Sequence, residues 1–77
     1  MPRLPRVSSR ELVQALEKEG FVFSRSKGSH RIYYHPETGR RITVPYLGGR
    51  IIPPGTLANV LRQAEIDRER LRELLKK

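Results

Sequence analysis

Arg25, Lys27, Gly28, Ser29, His30 and Arg31 fall within seven consecutive residues, and each offers something that phosphodiester cleavage needs. Gly28 permits a turn in which consecutive backbone amides face an anion. Lys27 adds a mobile point charge and Ser29 a hydroxyl. His30 adds the side-chain type that changes charge near neutrality. Cleaving RNA calls for a base on the 2′-hydroxyl, an acid on the leaving oxygen, and cations on the crowded phosphate. No metal and no cofactor is demanded. A two-metal nuclease would need paired carboxylates, and residues 21–50 contain one acid, Glu37. The competing reading is that His30 is an ordinary surface or core histidine, which is the common case in a small basic chain. His35, at the far end of the same predicted strand, reads as a surface residue.

Tyr33, Tyr34 and Tyr46 are interleaved with these cations, an arrangement that can stack unpaired bases. Adjacent strand residues face opposite ways, so at least one of Tyr33 and Tyr34 belongs to the core. Parity groups His30 with Ile32 and Tyr34 and sets Tyr33 apart. Tyr33 is therefore the expected exposed, RNA-contacting tyrosine, and the side that carries His30 could be the covered one. Arg41 is a candidate phosphate ligand, and Arg40 is either another or a solvated turn residue. Gly48-Gly49 lacks the lysine and hydroxyl that end a nucleotide-binding loop.

The elements that must position these groups are legible. Ser8-Ser9-Arg10-Glu11 has the spacing of a capping box, and Leu12, Val13 and Leu16 follow at helical period, predicting a helix over 9–19 that Gly20 ends. Residues 21–25 read as a strand, 26–29 as a turn and 30–35 as a second strand. Pro36 to Gly39 make another turn, and 41–44 a third strand ended by Pro45. A loop over 46–54 leads into a helix from Pro54 through Leu57, Val60, Leu61 and Ala64. Asp67 then caps a short helix bearing Leu71, Leu74 and Leu75 on one face. Residues 1–7, with Pro2 and Pro5, read as a flexible tail. The order is α-β-β-β-α with an extra C-terminal helix. This is an α+β fold with helices on one face of an antiparallel meander, the layout of a double-stranded-RNA-binding domain.

Composition bounds the rest. Seventy-seven residues make a single domain, 1–77, with a small core and no cysteine to staple it. Thiolate catalysis and cysteine zinc sites are excluded. The first residues lack the apolar run of a secretory signal, and no stretch is long and apolar enough for a membrane span, so a cytoplasmic protein is expected. The net charge of +8 favours a polyanion. It is concentrated: residues 21–50 hold six basic groups against one acid, whereas 1–20 hold four against three.

Taken in order, these residues resemble the HicA (YcfA-like) toxins. The resemblance spans about Ser8 to Leu75. It rests on Leu16 with Gly20-Phe21, Arg25, Lys27-Gly28-Ser29-His30, Tyr33, Val44-Pro45, Pro54-Gly55-Thr56-Leu57, and Leu61-Arg62-Gln63-Ala64 with Ile66. It implies a metal-independent, ribosome-independent mRNA endonuclease whose catalytic histidine is His30, within a motif matched by Lys27, Gly28 and Ser29. It also implies inhibition by a HicB-type antitoxin that covers the active site, with DNA reached only through that antitoxin. One departure stands out: many members have a second histidine after the Val-Pro pair, and Leu47 is near that place here. A non-catalytic RNA-binding module of the same fold remains the alternative.

Overall fold

The computed structural model describes residues 4–76. Helix α1 spans Ser9–Lys18. Its capping box forms as the spacing predicts: the Glu11 amide donates to Ser8 Oγ at 3.1 Å, and the Ser8 amide donates to Glu11 Oε1 at 2.9 Å. Such a cap stabilises a helix by about 1 kcal/mol. Gly20, at φ +104°, turns the chain into strand β1, Val22–Lys27. Strands β2, His30–Tyr34, and β3, Arg41–Pro45, complete an antiparallel sheet in the order β1-β2-β3. Helices α2, Pro54–Ala64, and α3, Arg68–Leu75, follow. Asp67 caps α3 by accepting from the Arg70 amide at 2.7 Å.

The expected α+β architecture is thus present, with two local differences. β1 runs on to Lys27, so the turn shrinks to Gly28-Ser29, with Gly28 at φ +60° and Ser29 at negative φ, the pattern of a type II′ hairpin turn. The tail expected over 1–7 is corrected from Leu4 onward. Val7 is fully buried, its carbonyl accepts from the Ile52 amide at 2.8 Å, and Ser8 bridges Ile51. Leu4 packs against the core. Burying a valine side chain gains roughly 1.5–3 kcal/mol, enough to offset ordering its backbone at about 1–2. The rest of that expectation, residues 1–3, lies outside the described residues.

The core joins Leu12 and Leu16 of α1, Ile42 and Val44 of β3, Leu57, Val60 and Leu61 of α2, and Leu71 of α3. Helices α1 and α2 pack over β3, and α1 packs on α3. Every residue of β1 is exposed. β1, the outer strand of the sheet, therefore lies beyond the cover of the helical layer.

Tyr33 corrects the expectation of an exposed, RNA-contacting tyrosine. It is 1% exposed and sits opposite Ile42 on the helix-covered face. Tyr34, its neighbour, is on the open side and half-buried. The reason lies in β3: Ile42 and Val44 face the helices, and residues opposed across a sheet share a face. Pairing with Ile42 commits Tyr33 to the core.

Candidate functional site

A β-bulge assembles the site. Phe23 is opposite Tyr33 and Arg25 is opposite Ile32, leaving Ser24 as the extra residue in β1. Strict alternation from Phe23 would send Arg25 and Lys27 to the helix side. The inserted residue inverts that parity. Three cross-sheet rows then share the open face: Val22, Tyr34 and Arg41; Arg25, Ile32 and Thr43; Lys27, His30 and Pro45. His30, Lys27, Arg25 and Arg41 are all exposed there.

The last row is the chemically interesting one. Lys27 and His30 are direct cross-strand partners, closed by Gly28-Ser29. The Ser29 carbonyl accepts from the Tyr46 amide at 2.7 Å, which ties the turn to the exit of β3. Buried Ser9 holds that exit in turn. Its Oγ donates to the Pro45 carbonyl at 3.0 Å and accepts from the Leu47 amide at 2.9 Å. Helix α1 thereby fixes the strand end opposite His30. Serine at that position looks from the sequence like a mere neighbour of the N-cap, so its role was not visible there.

Among the described residues, no hydrogen bond or ion pair engages the side chains of Arg25, Lys27, His30 or Arg41. Arg41 lies 5.7 Å from the Tyr34 ring centroid. Cations elsewhere are engaged. Arg40 pairs with Glu65, linking the β2–β3 turn to the end of α2. Arg70 grips both carboxylate oxygens of Glu19, its Nη2 donating to Oε1 at 2.7 Å and its Nε to Oε2 at 3.2 Å. That hydrogen bond, with the carboxylate charge behind it, raises the Arg70 pKa above the ordinary arginine value. Lys18 donates to the Leu74 and Lys76 carbonyls at the end of α3.

His35 is likewise engaged. The Glu37 amide donates to its Nδ1 at 3.2 Å, so the ring proton belongs on Nε2, which reaches the Glu19 carbonyl at 3.2 Å. The ring also meets Phe21 edge-on, with centroids 5.1 Å apart. It is half-buried rather than the surface residue expected.

Arg31 leaves β2 on the opposite face from His30, stacked 3.7 Å from the Tyr46 centroid. The expected grouping of Arg31 with the other candidate ligands therefore splits between two faces, as alternation requires. Leu47 is exposed on the loop beyond β3 and supplies no proton donor.

No three His, Cys, Asp or Glu side chains come together as a metal site among the described residues. None of their helices is long and apolar enough to cross a membrane. A mainly apolar groove runs between Leu4, Pro5, Ile52, Pro54 and Leu57, away from the open sheet face, and does not include His30. The candidate site is an open sheet face, which suits a polymer better than an enclosed small molecule.

No curated protein matches the chain significantly. A family model described as the HicA toxin of bacterial toxin–antitoxin systems matches residues 9–66, from the start of α1 to just past α2.

Proposed function

The chain belongs to the HicA toxin family, and from that premise we propose that it is an endoribonuclease that cleaves mRNA with His30 on the open face of its sheet. The observation that carries this reading is the Lys27–His30 pair at the mouth of the hairpin, with Arg25 on the same face and no hydrogen-bond or ion-pair partner among the described residues for any of the three side chains. Uncompensated cations beside an accessible imidazole are what an RNA phosphate would neutralise.

In the proposed reaction, His30 takes the proton of a ribose 2′-hydroxyl. The oxygen attacks the adjacent phosphorus, and the P–O bond to the 5′ oxygen breaks. Lys27 and Arg25 neutralise the charge that accumulates on the phosphoryl oxygens. The departing 5′ oxygen collects a proton, and the products are a 2′,3′-cyclic phosphate and a 5′-hydroxyl. With Leu47 in place of a second histidine, His30 itself returns that proton, through water. A toxin of this family is paired with an antitoxin, and a HicB-type partner covering the open face would block His30 and neutralise the cations together.

Incubation of the purified chain with mRNA in EDTA tests the reading. Cleavage to cyclic-phosphate ends is expected, and His30→Ala should abolish it. Cleavage that persists in the variant would remove His30 from the mechanism. Salt-sensitive binding without cleavage, by both proteins, would make the chain an RNA-binding module instead.

A further inference from the structure

The helix-side face of the hairpin carries a second feature. Phe23 is 51% exposed, although it lies on the face whose other aromatic residue, Tyr33, is buried. Its ring meets Tyr33 edge-on, with centroids 5.7 Å apart. Arg31 lies between it and Tyr46, with the guanidinium carbon 5.9 Å from the Phe23 centroid and 3.7 Å from that of Tyr46. No carboxylate pairs with Arg31 among the described residues. The guanidinium is thus held over a ring, with its donors unclaimed by any carboxylate among the described residues.

We infer that Phe23 and the Tyr46-stacked Arg31 form a subsite for one unpaired nucleobase of single-stranded RNA whose scissile phosphate lies at His30. The inference rests on the reading of His30 given above. Phe23 offers the base an aromatic face, and Arg31 donates to the base edge or to the phosphate beside it. His30 and Arg31 are consecutive and leave β2 by opposite faces, next to a two-residue turn. A flexible single strand can pass around that tip and touch both. A duplex, stiff and base-paired, cannot. The subsite therefore selects unpaired RNA.

A protein partner fits this patch less well. The other exposed apolar side chains, Val22, Leu47 and Ile51, are on the open face or the loop beyond β3 rather than beside Phe23. An aromatic ring, a half-buried tyrosine and one arginine fall well short of the roughly 800 Å² per partner that a stable protein interface buries.

The test uses the whole chain carrying Phe23→Ala or Phe23→Leu, the latter keeping apolar bulk on Tyr33 while removing the π face. Cleavage of an unstructured RNA should show KM raised about 5- to 100-fold, with kcat within about twofold, as expected for the loss of one base–aromatic stack. Phe23→Tyr should restore KM. In a His30→Ala background, the same substitutions should weaken binding of oligoadenylate and leave binding of double-stranded RNA unchanged. Unchanged KM and oligoadenylate affinity in a folded Phe23→Leu protein overturns the subsite while leaving His30 in place. Equal losses on single and double strands also overturn it, as does an effect confined to antitoxin binding. If the unmodified chain neither cleaves nor binds RNA, the functional reading and the subsite fail together.

Discussion

One histidine, His30, opens β2 and another, His35, directly follows its last residue, and their surroundings are opposite. At one end His30 faces solvent, opposite Lys27, with no partner for its ring among the described residues. At the other, both ring nitrogens of His35 are engaged and the ring wedges against Gly20 and Phe21. The cations follow the same division. Arg25, Lys27 and Arg41 on the open face have no hydrogen bond or ion pair among the described residues, whereas Lys18, Arg40 and Arg70 stitch the helical layer together. The contrast teaches that residue type alone does not separate an available group from a committed one. What separates them is whether the fold has already used its donors and acceptors.

Exchanging the roles of the two ends should prove impossible, and the largest effect is expected at His30. His30→Ala should lower kcat by at least about 100-fold, the lower range for general acid–base catalysis, while leaving the melting temperature unchanged. A marked loss of stability would place His30 with His35 and break the comparison.

Gly20→Ala comes next. A Cβ at this position would stand 2.7 Å from His35 Nε2, on a backbone at φ +104°. The expected cost is about 2–3 kcal/mol, or a fall of roughly 8–24 °C for a domain of this size, by calorimetry. His35→Ala should cost about 1–2 kcal/mol by leaving the Glu37 amide and Glu19 carbonyl without their partner. Cleavage below the transition should be retained in both. Loss of activity in a folded His35 variant would show that the two ends are coupled after all.

The smallest effects sharpen the comparison among cations. Arg25→Ala and Lys27→Ala should each reduce the slope of log affinity against log salt by about 0.7 on single-stranded RNA. Arg70→Ala should leave that slope alone and lower stability instead, because its charge is committed to Glu19. Titrating RNA binding at several salt concentrations separates the two outcomes.

Much of this was readable from residue order. The capping box at Ser8 and Glu11, the glycine corner at Gly20, the turn signals at Gly28 and Gly39, and the leucine faces of the helices all act locally, over three or four residues. Their consequences appear where the spacing puts them. The excess of positive charge in residues 21–50 likewise needs no tertiary information. Lys27, Gly28, Ser29 and His30 are contiguous, so the turn brings them together whatever the rest of the chain does.

The assignment of faces was of a different kind. Val7 looked like part of a tail because its partner, Ile52, is far away in sequence. Tyr33 looked exposed because alternation shows which residues share a side and not which side the helices will cover. That was decided by Ile42 and Val44 meeting α1 and α2. The bulge at Ser24 is subtler still. One unpaired residue moves Arg25 and Lys27 from the face of Phe23 to the face of His30, and it exists only in the pairing of two strands. The sequence by itself therefore determined which groups are present at the hairpin and that its tip would form. Only the tertiary structure decided which of them look out together, because a strand has two equivalent faces until something packs on one of them.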